Sequence, residues 1–177
     1  HYPVEFMTAM LSSEMGNSDK VVGYIRACRD MGIAILPSDV NESYNDFTAI
    51  SHGIRFGLAA IKNVGSIAIE SIITAREEGG RFKSIFDFCR RVDLRKVNRR
   101  VIEGLIKSGA FDSTGAKRSQ LMEVMERAME EGVTTQRERT NGQINIFSSS
   151  VPDVTENDFF AAEEKLPDMP EWDETQI

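Results

Sequence analysis

The feature that most constrains the fold is a pair of predicted helices joined by a four-residue turn, in the stretch LAAIKNVGSIAIESIITAR. A turn this short needs a residue with positive φ, and glycine adopts that conformation without a steric penalty. We therefore expect Gly65 to supply it. Asn63, earlier in the turn, is the kind of side chain that best tolerates the left-handed region. The sequence thus predicts that two helices fold back on each other here.

The second helix of this unit begins near Ser66, so its free N–H groups and the positive end of its dipole lie at the turn. Lys62 adds a mobile cation. Such a site suits a backbone phosphate and reads no base, so binding would be independent of sequence and sensitive to salt. The alternative is a turn that only connects two helices. The candidate contacts are Lys62, Asn63, Val64, Gly65 and Ser66.

A second unit of the same kind follows about 40 residues later, in VIEGLIKSGAFDSTGAKRSQLM. Asn98 is the predicted cap of its first helix. Two such units related by a pseudo-two-fold axis can hold both strands of a duplex. Asp112 stands where a small residue would help, so this copy is predicted to be weaker and partly architectural. Its candidate contacts are Arg99, Arg100, Lys107, Ser108, Gly109, Lys117 and Arg118.

The net charge of −7 hides a basic middle between acidic flanks. Residues 1–51 hold 3 Lys and Arg against 7 Asp and Glu, residues 52–118 hold 14 against 7, and residues 119–177 hold 4 against 14. The three parts therefore carry −4, +7 and −10. The basic segment is a candidate phosphate footprint, although a solvated helical surface can be equally charged. The acidic tail is a potential competitor for that basic face.

The rest of the chain is predicted to be mainly α with a small β element. Residues 3–14 and the stretch after Asn17 show helical apolar spacing, IAILP is typical of a short strand, and two more strands flank Ser51–Gly53. Helices are expected up to Gly132, and a polar, acidic, weakly ordered tail after it. Cys28 and Cys89 are predicted to be reduced and buried, because two cysteines and two histidines give no zinc-ligand spacing.

The strings HYPVEFM, LPSDVN, RFGLAAIKNVG and FDFCRRVDLRKVNRRVIEGLIKSGAFD resemble the alpha-subunit family of bacterial DNA polymerase III. The resemblance spans about residues 1–147. It implies three parts: the end of the fingers region (1–53), a tandem helix-hairpin-helix domain that binds duplex DNA (54–132), and a linker with an acidic tail (133–177). A fragment of a longer replicative polymerase is expected, since the chain opens without an initiating Met.

The peptide GQINIF, at residues 142–147, is similar to the sliding-clamp-binding peptide of the same family. Ile146 and Phe147 suit an apolar pocket, and Gln143 suits a polar anchor at its rim. The alternative is that these apolar side chains pack on the chain's own helices. Phe159 and Phe160 are assigned no role.

No catalytic or metal-ligating residue is predicted. Paired carboxylates such as Glu77–Glu78 and Glu130–Glu131 are adjacent in sequence, which is typical of solvated charge rather than of a Mg²⁺ site. The resemblance places the polymerase carboxylates and their Mg²⁺ upstream in the parent chain, so this part needs no cofactor. The expected partners are duplex DNA, the sliding clamp and, through the parent chain, other replicase subunits. No apolar run is long enough for a membrane span, and a cytoplasmic location is expected.

Two other interpretations fit the same sequence features. The first is an architectural protein-interaction module, in which the hairpins only reverse the direction of the chain and do not bind DNA. The second is a subunit of a DNA-repair enzyme that uses the same motif, which would need a catalytic Lys or Asp near the hairpin or a set of iron–sulfur cysteines.

Overall fold

The computed structural model describes residues 2–140 and 165–172. These residues form six α-helices, three short strands and two 3₁₀ turns. The helices are α1 (Pro3–Ser13), α2 (Ser18–Asp30), α3 (Ser66–Gly79), α4 (Ile85–Arg91), α5 (Arg99–Lys107) and α6 (Arg118–Thr140). The strands are β1 (Ile35–Leu36), β2 (Thr48–Ile50) and β3 (Gly53–Arg55), and the 3₁₀ turns are Leu58–Ala60 and Asp112–Thr114. The predicted fold class, mainly α with a small β element, is confirmed.

Local sequence sets most of the helix beginnings. Pro3 stands in the first turn of α1, where its missing N–H costs nothing. The side chains of Asn17, Ser84 and Asn98 accept hydrogen bonds from backbone N–H groups three residues on, at 3.2, 3.1 and 3.2 Å. Each therefore caps its helix, and for Asn98 this confirms the prediction from the sequence.

The three strands form one small sheet in the order β1–β3–β2. β3 pairs in parallel with β1, with Ile35 opposite Ile54, and antiparallel with β2, with Ala49 opposite Ile54. The predicted hairpin around Ser51–Gly53 is therefore confirmed. The sheet packs beside α1 and α2, and together they bury a small core of Met7, Leu11, Cys28, Ile33, Phe47 and Ile54.

A larger core lies among α3, α4, α5 and α6. Phe88 is at its centre, in edge-to-face contact with Phe82 and Phe111 at ring-centroid distances of 4.9 Å each. Such pairs add to the free energy gained from burial. Fully buried aliphatic side chains of the same core include Leu58, Ile72, Ile102, Leu105 and Ile106. This core fixes the positions of both hairpins.

The loop between β1 and β2 ties the two cores together by polar contacts. The Asn41 side chain accepts from the backbone N–H of Phe82 at 2.7 Å and donates to the Phe82 carbonyl at 3.0 Å. The buried Arg76 guanidinium donates to the carbonyls of Val40 and Ser43 at 3.1 and 2.9 Å. Because Arg76 is on α3, the loop is anchored directly to the first hairpin.

The last helix is longer than the sequence predicted. We expected it to end at Gly132, but α6 continues to Thr140. Gly132 is a packing residue rather than a stop, because a Cβ there would lie 2.5 Å from the carbonyl oxygen of Cys89. Beyond it, the Gln136 amide donates to the carbonyls of Cys89 and Val92 at 3.0 and 2.8 Å. These contacts hold the extra turns of α6 against α4.

Both cysteines are free and buried, as predicted. Burial raises the pKa of the Cys89 thiol to about 12, and it also raises the pKa of Cys28. A thiol with such a pKa is unreactive at neutral pH, because the thiolate is the nucleophile. No helix in residues 2–140 or 165–172 is long and apolar enough to cross a bilayer.

Candidate nucleic-acid interface

The first hairpin consists of the 3₁₀ turn Leu58–Ala60, the connecting residues 61–65 and α3. Asn63 has φ +69°, so it takes the left-handed conformation expected of it. Gly65 does not: its φ is −88° and its ψ 163°, an extended conformation open to any residue. The prediction that Gly65 supplies the positive φ is therefore wrong. Asn63 supplies the positive φ of the turn, so the glycine at position 65 must have another role.

Gly65 leaves open space at the beginning of α3. A Cβ at this position would meet no atom within 4 Å, and no side chain caps the helix. The first N–H groups of a helix have no acceptor within it. At α3 these groups, with the positive end of the dipole, therefore face solvent, whereas side chains cap α2, α4 and α5. An anion can approach this backbone closely.

The two hairpins lie side by side across a shared groove. Gly104 on α5 faces the first turn so closely that a Cβ there would lie 2.8 Å from the Lys62 carbonyl oxygen. The floor of the groove is partly apolar, with Phe56, Ala60 and Ile61. Lys62, Arg100 and Lys107 line the same groove and are exposed. One cation from the first hairpin and two from α5 therefore share a surface.

The fourteen Lys and Arg residues of segment 52–118 do not all contribute to that surface. Carboxylates or backbone carbonyls hold the side chains of Arg55, Arg76, Arg81, Arg90, Arg91, Arg95, Arg99, Lys117 and Arg118. Within the described part of the chain, the others make no side-chain hydrogen bond or ion pair; they are Lys62, Lys83, Lys96, Arg100 and Lys107. The net charge of the segment therefore overestimates how many cations are available to phosphate. Three of the five available cations line the groove.

Arg99 is one of the predicted contacts that already has partners. Its guanidinium donates to Glu103 at 2.9 Å and also pairs with Glu126 of α6. The hydrogen bond that Arg99 donates to Glu103 and the charge of Glu126 raise the pKa of Arg99. Val64 is buried, so only its backbone is available to a ligand.

The second hairpin differs from the first in its connection. Gly109 has φ +80° and begins a longer link that includes the 3₁₀ turn Asp112–Thr114. Asp112 binds the Arg118 guanidinium through both carboxylate oxygens, at 3.2 and 2.8 Å. Ser108 donates its hydroxyl to the Leu105 carbonyl at 3.0 Å. Arg118, a predicted DNA contact, is therefore already paired with Asp112.

Residues 165–172 cover the beginning of α6; the sequence had indicated only that the acidic tail could compete for the basic face, not which residues would be in contact. The Glu171 carboxylate accepts from the backbone N–H groups of Arg118 and Ser119 at 3.0 and 3.2 Å. Lys117 donates to the Met169 carbonyl at 2.9 Å. Burial raises the pKa of Glu171, but hydrogen bonds from Trp172, Arg118 and Ser119 and the Arg118 charge outweigh it, so the pKa is lowered. The only sequence signal was opposite charge, across some fifty residues.

The predicted clamp peptide, with Gln143, Ile146 and Phe147, lies outside the described residues, as do Phe159 and Phe160. In the described ranges, no three His, Cys, Asp or Glu side chains come together in a way that could hold a metal ion. The candidate site therefore consists of three cations that line one groove, which Glu103 also lines, and of the uncapped backbone N–H groups at the beginning of α3. Such a set of groups is chemically suited to an anion.

Comparison with known proteins agrees with this arrangement. Residues 32–121 match the helix-hairpin-helix motif family, and the chain belongs to that family. The chain is also 41% identical over 175 residues to the DNA polymerase III subunit alpha of Vibrio cholerae, covering 98% of this chain and 15% of that protein. The same subunit is 45% identical in Saccharopolyspora erythraea, over 83% of this chain and 12% of the relative. The Escherichia coli subunit is 44% identical to this chain; the match covers 83% of this chain and 13% of that protein.

The resemblance to the DNA polymerase III alpha-subunit family is thereby confirmed. Almost the whole of this chain matches the Vibrio cholerae and Pasteurella multocida subunits, but it spans only about 15% of their length. It corresponds to one segment of those proteins.

Proposed function

We propose that this chain is a non-catalytic part of a replicative DNA-directed DNA polymerase of the cytoplasm, and that it holds duplex DNA and a sliding clamp. The observation that carries the DNA half is the open beginning of α3, where uncapped N–H groups lie next to the exposed Lys62. Arg100 and Lys107 extend the same positive surface across the groove. The relatives are named as polymerase subunits, which supports the replicative role.

The proposed contact is with the sugar–phosphate backbone. Phosphate oxygens would accept from the N–H groups at Gly65, Ser66 and Ile67, and the helix dipole would favour the negative charge. The lysines and Arg100 would neutralise neighbouring phosphates. None of these groups needs to reach a base edge, so the sequence of the duplex would not be read.

This mode of binding predicts a defined dependence on salt. Each phosphate neutralised contributes about −0.9 to the slope of log K against log salt concentration, so the three cations of the groove predict a slope of about −2.7. The slope should be measured by fluorescence anisotropy with two labelled duplexes of unrelated sequence. Equal affinities and equal slopes are expected. A flat slope, or a strong preference for one sequence, would contradict the proposal.

The clamp half of the proposal depends on Gln143, Ile146 and Phe147. A Gln143→Ala, Phe147→Ala variant should lose retention of the sliding clamp in a pull-down, because the polar anchor and the aromatic side chain are removed together. The matched control is Phe159→Ala with Phe160→Ala, which removes aromatic side chains from the same stretch of chain. Clamp retention by the first variant, or equal loss in both, would rule out this assignment.

Catalysis is proposed to lie elsewhere in the longer polymerase chain. Nucleotide addition requires carboxylates that converge on Mg²⁺. The described residues do not offer such a set, so no step of the reaction is assigned to them. Other replicase subunits are proposed to associate through the parent chain.

A further inference from the structure

The segment 165–172, here called the strap, is bound across the beginning of α6. The hydroxyl of Ser119 donates to the Pro170 carbonyl at 2.7 Å, and the amide of Gln120 donates to the Pro167 carbonyl at 2.7 Å. Arg127, further along α6, donates to the carbonyl of Lys165 at 3.1 Å. With the Glu171 and Lys117 contacts, these bonds run along the first three turns of the helix.

Glu171 stands where the second hairpin would bind a phosphate. Both its carboxylate oxygens accept from N–H groups at the beginning of α6, one from Arg118 and one from Ser119. The corresponding groups at the beginning of α3 carry no side-chain cap. A carboxylate and a phosphate use the same donors and the same end of the dipole. The two anions therefore cannot share this position.

The strap differs from an ordinary helix cap in where it comes from. An N-cap side chain belongs to the residue just before the helix, as Asn17, Ser84 and Asn98 do. Glu171 instead lies 53 residues beyond Arg118. Its side chain is exposed, and its partners on α6 are polar groups that water or phosphate oxygens could also satisfy. Release of the strap would therefore free the N–H groups of Arg118 and Ser119 for another anion.

We propose that the strap is an internal competitor of DNA: Glu171 occupies the phosphate site of the second hairpin, and this hairpin binds a duplex only when the strap is displaced. The inference rests on the proposed function, because it takes the backbone phosphate of DNA as the competing ligand. The first hairpin is open and would bind first. The second would add its contacts at the expense of the strap.

The decisive comparison is Glu171→Gln against Asp168→Asn in the full chain. Both substitutions remove one negative charge from the strap, but Asp168 makes no side-chain hydrogen bond or ion pair with the described residues. Glu171→Gln should bind duplex about two- to five-fold more tightly than the unsubstituted chain, because the site loses its charged occupant. Its salt slope should steepen by about one, for one more phosphate contact. Asp168→Asn should change neither quantity.

Two outcomes would overturn the inference while leaving the proposed function in place. In the first, Glu171→Gln binds with the affinity and slope of the unsubstituted chain. In the second, Asp168→Asn tightens binding as much as Glu171→Gln, so that only overall charge matters. If no duplex binds to the unsubstituted chain or to either variant, the proposed function itself fails.

Trp172 gives a second readout that needs no substitution. It is the single tryptophan of the chain, and its backbone N–H donates to Glu171 at 3.0 Å. Its side chain is half-buried on the strap. Saturation with duplex should move its emission to longer wavelength as the strap leaves α6. An unchanged emission wavelength at saturating duplex would contradict displacement.

Discussion

A Lys62→Glu, Gly65→Val variant is expected to bind duplex DNA about 100-fold more weakly than the unsubstituted chain, a loss of about 2.7 kcal/mol. The Glu side chain would repel the phosphate that Lys62 attracts, and the valine side chain would stand in the open space before α3. The fold should be retained. Gly65 has φ −88° and ψ 163°, a conformation that valine prefers, and its Cβ would meet no atom within 4 Å. Affinity is measured by fluorescence anisotropy and stability by thermal unfolding.

The matched control for this variant is Lys83→Glu with Gly16→Val. Lys83 is exposed, does not line the groove and makes no side-chain hydrogen bond or ion pair in the described part of the chain. Gly16 is exposed, and a Cβ there would also meet nothing within 4 Å. The control has the same change in charge and volume, so it should lose only the small affinity due to net charge. Equal losses in the two double variants would refute a localised site at the first hairpin.

The second large effect concerns stability. Phe88→Ala is expected to lower the free energy of unfolding by about 3–5 kcal/mol, because it removes a fully buried ring and leaves a cavity. The ring also has two edge-to-face partners, Phe82 and Phe111. In a chain of this size about 2–4 °C of melting temperature is lost per kcal/mol. Thermal and urea unfolding monitored by circular dichroism measure the change.

Phe6→Ala is the control for this second prediction. The Phe6 side chain on α1 is 63% exposed, so the same substitution should cost well under about 1 kcal/mol. If Phe88→Ala were no more destabilising than Phe6→Ala, the larger core would not be organised around the three phenylalanine rings. The hairpins would then lack the rigid support that the proposed function requires.

Features governed by neighbouring residues were predictable from the sequence. The caps at Asn17, Ser84 and Asn98 are local, since each side chain reaches an N–H three residues on. The left-handed conformation of Asn63 followed from side-chain preference. The positive φ predicted for Gly65 was wrong because a turn can require glycine for either of two reasons. One is a positive φ, and the other is the lack of a side chain. Here only the second applies, and sequence alone does not distinguish them.

Features that depend on distant residues were not predictable in the same way. Gly132 reads as a helix stop, but it lies against the Cys89 carbonyl across the α4–α6 contact. The +7 charge of segment 52–118 counted every cation equally, whereas Arg118 is paired with Asp112 and Arg99 with Glu103. The twelve predicted DNA contacts are therefore reduced to the turn of the first hairpin and two cations of α5, Arg100 and Lys107. That DNA binds there stays a prediction, and which of the predicted side chains are accessible could not be read from the sequence.

The proposed function requires DNA phosphate to bind at the beginning of α3. Binding there can be followed residue by residue by NMR, from the backbone amide resonances of the isotopically labelled chain while duplex DNA is added. We expect the N–H signals of Gly65, Ser66 and Ile67 to shift most, with a midpoint equal to the dissociation constant from anisotropy. Unchanged signals at these three residues at saturating duplex, with the largest shifts elsewhere, would contradict the proposed function.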